Sequence, residues 1–214
     1  MALKVKICGV TSINHVKTCI KGKATMIGLM FYNKSPRYLN LQKAKKISNY
    51  AKKKIKRVGV FANNTSESIK KISSNIELDY LQLHGNEKPS FITNIKKITK
   101  IKIIKALKIN NKNFLKKIST FRKVSDYILL DTKIVNKNSL NLKKKSKKIN
   151  WDLLKNIKNK KKLILSGALD IKNLKNAVKS SNIKFVDVSS SLENKIGNKD
   201  NKKINKFLEL ALKL

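Results

Sequence analysis

Side chains able to move protons are few in this chain: two cysteines, two histidines and 12 carboxylates among 214 residues. Three of them stand where a short apolar run stops. Cys8 follows Lys4-Val5-Lys6-Ile7 and precedes Gly9, His84 follows Leu81-Gln82-Leu83 and precedes Gly85, and Asp131 follows Leu129-Leu130. A thiol and a carboxyl brought face to face can share general base and general acid work. The thiolate suits a carbon-bound proton, and the protonated carboxyl suits a leaving oxygen. Each needs tuning: the carboxyl pKa raised by burial or nearby negative charge, the thiol pKa lowered by positive surroundings. Arg37 follows Ser35-Pro36, which stiffens its loop, and its planar fork can grip a carboxylate with two hydrogen bonds. Gly167-Ala168 and Ser189-Ser190-Ser191 also follow apolar runs, and small residues there leave backbone N–H groups for a phosphate.

Taken singly, each residue has a plainer reading. An isolated cysteine is usually an inert core residue; Cys19, on a helix stripe, keeps that reading. Asp131 alone would serve as a cap or ion-pair partner, and Arg37 as a surface ion pair. Gln82 and His84 are expected to line the pocket or support it from behind, since the chemistry needs no imidazole. His15 is expected to be solvated, and Asp187 and Glu193 to support structure or a phosphate loop. What decides between these readings is the framework.

That framework is a strict alternation. Strand-like runs rich in Ile, Val, Leu, Phe and Tyr occur at 4–7, 26–31, 57–61, 80–83, 101–106, 127–130, 163–166 and 185–188. Between them lie amphipathic stripes: Ile13, Val16, Ile20; Leu41, Ala44, Ile47, Ala51; Phe91, Ile95, Ile98; Phe114, Ile118, Phe121; Ile171, Leu174, Val178; and Ile204, Phe207, Leu208, Ala211, Leu212. Thr11-Ser12, Thr65-Ser66 and Asp170 mark helix starts. Eight βα units predict an α/β fold, a (β/α)8 TIM barrel, in a single domain over 1–214. Such a barrel carries its active site at the C-terminal ends of the strands, which is where the residues above fall. An open doubly wound sheet is the alternative. The first turn, Cys8-Gly9-Val10-Thr11, lacks a dinucleotide-binding glycine pattern. The polar, lysine-rich segment 136–150 reads as a mobile loop after the sixth strand.

Charge would suggest another function. Lys+Arg number 51 against 12 Asp+Glu, a net +39, as a nucleic-acid binder would carry. But the lysines are spread along the chain, arginine occurs only at 37, 57 and 122, and aromatics are sparse. Lysine, asparagine and isoleucine are inflated together, as an AT-rich genome would produce, so nucleic-acid binding is not the expectation. Two cysteines make no disulfide framework. No secretory or membrane-spanning segment is evident. A cytoplasmic monomer without metal or cofactor is expected.

At this point the chain resembles the phosphoribosylanthranilate isomerase family from end to end. The resemblance is carried by Lys6-Ile7-Cys8-Gly9-Val10-Thr11, Phe31-Tyr32-Asn33-Lys34-Ser35-Pro36-Arg37-Tyr38, Val58-Gly59-Val60-Phe61-Ala62-Asn63, Leu81-Gln82-Leu83-His84-Gly85, Leu129-Leu130-Asp131-Thr132, Val186-Asp187-Val188-Ser189-Ser190 and Gly197-Asn198-Lys199-Asp200. It implies an Amadori rearrangement of a phosphosugar substrate, N-(5-phosphoribosyl)anthranilate, in tryptophan biosynthesis. It further implies Asp131 as general acid, Cys8 as general base, Arg37 on the anthranilate carboxylate, and backbone amides of Gly167, Ala168, Ser189, Ser190 and Ser191 on the phosphate. Three departures stand out. No glycine occurs in 139–150 ahead of Trp151-Asp152; Ala168 and Ser191 occupy usual glycine places. Weakened phosphate affinity with intact chemistry is expected from them. Indole-glycerol-phosphate synthase, which would call for catalytic lysine and glutamate in other motifs, is the rival barrel enzyme, and a drifting enzyme with poor activity is a further reading.

Overall fold

A computed structural model describes residues 2–109, 113–132 and 151–214. Eight parallel strands close in chain order into a barrel. They are β1 (Lys4–Cys8), β2 (Met26–Met30), β3 (Lys56–Phe61), β4 (Tyr80–Leu83), β5 (Lys102–Lys108), β6 (Tyr127–Asp131), β7 (Leu163–Ser166) and β8 (Phe185–Val188). Helices α1 (Ile13–Lys21), α2 (Leu41–Ala51), α3 (Ser66–Asn75), α4 (Pro89–Thr99) and α5 (Phe114–Arg122) follow the first five strands. Beyond β6 comes a 3-10 turn at Trp151–Leu154; α6 (Leu174–Ser181) follows β7. A 3-10 turn at Ser190–Leu192, a hairpin of β9 (Glu193–Lys195) and β10 (Asn198–Lys199), and α7 (Asn201–Leu212) follow β8. The expected loop at 136–150 lies outside the described residues. Among the described residues no helix is long and apolar enough to cross a membrane.

Strand alternation divides the core in two. Residues such as Val5, Ile7, Ile27, Leu29, Leu81, Leu83, Leu130 and Leu165 point outward into the layer shared with the helices. Their neighbours in sequence point inward: Cys8, Met26, Val58, Val60, Ile104, Ala106, Leu129, Ile164 and Phe185 fill the barrel. Within the barrel Tyr127 makes edge contacts with Tyr80 and Phe185, with ring centroids 5.9 and 5.7 Å apart. The C-terminal end of the barrel therefore rests on a packed floor of side chains rather than a pore.

Helix starts show where short polar side chains decide the chain's direction. Ser12 Oγ accepts from His15 N–H, and Thr65 Oγ1 from Ser68 N–H. Asp170 behaves differently from expectation. Its carboxylate accepts from the amides of Lys172 and Asn173, closing a turn, and α6 begins only at Leu174. Ile171 is consequently exposed, as are Ile13 and Ile98 from the expected stripes. In α1 the buried face is His15, Val16 and Cys19. His15 is thus buried, not solvated: the helix is turned so that this side packs against the barrel and α7. Burial, and then the charge of Lys199, push the His15 pKa down.

Candidate active site

The inward-facing residues at the C-terminal ends of the strands share one phase: Cys8 of β1, Gln82 of β4, Asp131 of β6, Ser166 of β7 and Asp187 of β8. They open into a cavity of about 200 Å³ lined also by Arg37, His84, Gly167, Ala168, Ser189 and Ser190. Of the residues expected there, only Ser191 lies outside the lining. Its hydroxyl donates to Leu169 O at 2.6 Å, tying the loop after β8 to the loop after β7.

Cys8 sits beside Gly28, its register partner on β2. A Cβ at Gly28 would come within 3.0 Å of Cys8 Sγ, so the strand opposite the thiol must be bare there. Gly9 has φ +74°, and a Cβ on it would strike Arg37 Cδ at 2.4 Å. The thiol's own turn is therefore the seat on which the Arg37 side chain lies. Glu193 holds the far end of that side chain in a fork: Arg37 Nε donates to Oε1 at 2.5 Å and Nη2 to Oε2 at 2.8 Å. Lys199 Nζ reaches the same Glu193 Oε1 at 2.5 Å and Ser189 Oγ at 3.3 Å. Ser189 Oγ in turn donates to Cys8 O at 2.9 Å.

Two cations on one carboxylate fix its charge. Burial alone would raise the Glu193 pKa, but hydrogen bonds from Arg37 and Lys199 bring it down to about 2. Beneath the thiol, Lys6 is fully buried and donates to Asp187 Oδ1 at 2.6 Å, while Ser166 Oγ donates to Asp187 Oδ2 at 3.1 Å. The Cys8 thiol departs from expectation. Its positive surroundings do pull its pKa down, but burial outweighs them and the net displacement is upward. Desolvation of a thiolate is the stronger effect in a dry barrel mouth.

Across the cavity lies Asp131. Gln82 Nε2 lies 3.0 Å from His84 Nδ1. With the amide donating, the ring proton sits on Nε2, which faces Asp131 Oδ2 at 3.5 Å. His84 thus lies beside the Asp131 carboxyl. Thr132 Oγ1 donates to Ser166 O at 2.8 Å and pins the end of β6 to β7.

The profile of a protein family described as N-(5'phosphoribosyl)anthranilate (PRA) isomerase matches residues 5–210. The chain belongs to the phosphoribosylanthranilate isomerase family. The N-(5'-phosphoribosyl)anthranilate isomerase of Petrotoga mobilis is 35% identical over 198 residues, 92% of this chain and 91% of that one. The solved phosphoribosyl anthranilate isomerase of Thermotoga maritima superposes with TM-score 0.86 at 32% identity, covering 99% of this chain and 100% of that one. A second solved isomerase, in complex with reduced 1-(o-carboxyphenylamino)-1-deoxyribulose 5-phosphate, gives TM-score 0.83 at 30% identity over 99% of this chain and 100% of that one.

Two of this isomerase's departures now have a geometry. Ala168 sits at φ +50° directly after Gly167 at φ +103°, so the non-glycine residue carries a left-handed backbone. Ser191 lies in a 3-10 turn, where a side chain costs nothing conformationally and gains the Leu169 hydrogen bond. The residues that sequence reasoning passed over are Lys6 and Lys199. Both were read as motif letters in a lysine-rich chain, yet both are buried at the site. The available signal was phase: Lys6 is two residues before Cys8 on one strand and must face the same way.

Proposed function

We propose that the chain converts N-(5-phosphoribosyl)anthranilate to 1-(2-carboxyphenylamino)-1-deoxyribulose 5-phosphate, with Asp131 as general acid and Cys8 as general base. Asp131 gives its proton to the ribose ring oxygen as the C1′–O bond breaks, leaving an iminium at C1′. The Cys8 thiolate then removes the proton at C2′, and the electron pair moves to form the enolamine, which tautomerises to the ketone. The observation carrying this reading is that Cys8 and Asp131, on the well-separated strands β1 and β6, line one cavity at the strand ends. Because burial raises the thiol pKa, the base acts as a minority thiolate whose higher basicity offsets its low population.

Arg37 spends two N–H groups on Glu193, leaving its remaining donors for the anthranilate carboxylate. The backbone around Gly167, Ala168, Ser189 and Ser190 borders the cavity and suits the phosphate, with the Lys199 ammonium behind Ser189 adding positive potential.

Loss of anthranilate-type fluorescence on adding substrate tests the assignment in the parent, Cys8→Ser and Asp131→Asn. Turnover in the parent is expected, with losses of about 10²- to 10⁴-fold in each variant. A folded parent without turnover would overturn the assignment. Activity surviving in one variant would remove the role given to that residue alone.

A further inference from the structure

The buried lysine below the thiol has no part in the scheme above, yet it is an expensive residue to place there. An ammonium out of water costs several kcal/mol unless it is paired and hydrogen-bonded. β1 and β8 are in register at Lys6 and Asp187, which accounts for one partner. The second partner is set by β2. A Cβ on Gly28 would lie 3.0 Å from Cys8 Sγ and 3.4 Å from Lys6 Nζ, so thiol and ammonium crowd into the same space over that glycine. Asp187 takes one Lys6 N–H and also accepts from Ser166, leaving two ammonium N–H groups for the thiol side.

We infer that Lys6 is the cationic partner of the Cys8 thiolate, and that Asp187 is the anchor holding its ammonium in place. Lys6 is then a positioning residue for the base, and the inference rests on the reading of Cys8 as that base. The other charges facing Cys8 are Asp187 from β8, Lys199 from β10 and Arg37 from the loop after β2; β2 itself offers only Gly28. Arg37 and Lys199 are committed to Glu193. Lys6 is the one cation among them whose carboxylate is shared with a neutral hydroxyl rather than a second cation. Burial would drive its proton off, but the charges of Asp187 and Cys8 outweigh that and keep it an ammonium. Lys6 also stands first among the influences that favour the thiolate, ahead of Lys199, while Asp187 opposes it.

This arrangement makes a signed forecast. Removing the cation should disfavour the thiolate, and neutralising the anchor should favour it. The test is the pH dependence of Cys8 alkylation by iodoacetamide, read by peptide mass mapping, in the parent, Lys6→Met and Asp187→Asn. Cys19, fully buried on the inner face of α1, serves as the unreactive internal control. Lys6→Met is expected to move the Cys8 titration up by a unit or more, a tenfold or greater loss of reactivity at pH 8, and the Cys8 limb of the pH–rate profile should move with it. Asp187→Asn is expected to move it down. Since Lys6→Met leaves a buried carboxylate unpaired and could fail to fold, the charge-free double variant Lys6→Met/Asp187→Asn is measured alongside. Its thiol should titrate above the parent's, because the nearer cation outweighs the anion. A parent-like or lowered titration in Lys6→Met, or a parent-like titration in the double variant, would overturn the inference. The alkylation reads the thiol without turnover, so such a result is distinct from activity persisting in Cys8→Ser, which would overturn only the base reading.

Discussion

The two halves of the barrel mouth are built on opposite plans. On the β1–β8 side, Lys6, Asp187, Glu193 and Lys199 are nearly dry, with side-chain exposures of 0, 6, 5 and 0%. Every charge there is matched at 2.5–2.6 Å. On the β4–β6 side, Asp131 and His84 are 18 and 32% exposed and meet at 3.5 Å. The difference fits the roles proposed for the two sides. A thiolate in a dry place must be given its counter-charges by the fold, because no water can supply them. A carboxyl in the general-acid role proposed for Asp131 would be reprotonated every turnover, and the exposure of Asp131 leaves it within reach of water. The Cys8 side is thus dry and electrostatically expensive, and the Asp131 side more open to water.

Breaking the ionic side at its hub should have the largest effect. Glu193→Gln strands Arg37 and Lys199, two cations in a partly or fully buried setting, and is expected to cost roughly 3–5 kcal/mol of stability by urea unfolding. It should also raise KM, as Arg37 loses the fork that aims it. The same pairing has a pH signature. The Glu193 carboxyl has its pKa lowered from 4.5 to about 2 in the folded protein. The stability it contributes is therefore complete above pH 4.5 and lost as the pH falls from there toward 2. Acid unfolding of Glu193→Gln should be flatter across that window. Equal acid sensitivity in parent and variant would mean that Glu193 is not the hub.

The thiol supplies the next effect. With its pKa raised by burial, Cys8 in the ligand-free protein should lose alkylation reactivity tenfold for each unit of pH below its midpoint, which should lie above that of an ordinary thiol. A midpoint below that of an ordinary thiol would show that the cations defeat burial and that the dry-side description is wrong. On the open side the expected change is smaller. His84→Gln gives up one long contact to Asp131, about 1 kcal/mol, or roughly a fivefold loss in kcat. Gln82→Leu should do the same by freeing the imidazole. A loss of 100-fold or more in His84→Gln would place the imidazole in the proton transfer itself.

The open side was the more legible in the sequence. Asp131, His84 and Gln82 stand at strand ends flanked by leucines, and the period-two pattern of short apolar runs states their direction. The barrel was readable for the same reason, with strand limits displaced by only a residue or two, as where β5 runs on to Lys108. The ionic side was concealed by composition. In a chain with 51 basic residues, Lys6 and Lys199 look like solvated lysines unless each is checked for phase. Asp187 and Glu193 were read as supports, but their partners are set by contacts 181 and 156 residues away in sequence, from Lys6 and Arg37. His15 was misread because the buried face of α1 is fixed by its neighbours in space, with Ile13 turned outward and His15 inward.

The smallest predicted effect lies where the two sides meet, at the loops after β7 and β8. Ala168 and Ser191 look equivalent in sequence, each standing where a glycine is usual, and an argument from sequence would replace both with glycine to restore phosphate binding. The backbone separates them. Ala168 holds φ +50°, a left-handed conformation costing about 1–2 kcal/mol for a residue with a Cβ. Ala168→Gly relieves that cost but adds unfolded-state freedom, for a net gain of roughly 0.5–1 kcal/mol. It should also lower KM for the phosphorylated substrate if the Cβ crowds the site. Ser191 is not strained, and its hydroxyl holds the loops after β7 and β8 together through Leu169 O. Ser191→Gly should therefore lose about 1 kcal/mol of stability and leave KM unchanged or higher. Opposite signs in thermal unfolding would separate strain from crosslinking. If instead both variants gain affinity equally, side-chain bulk alone governs the phosphate loops, and the hydrogen bond between them is incidental.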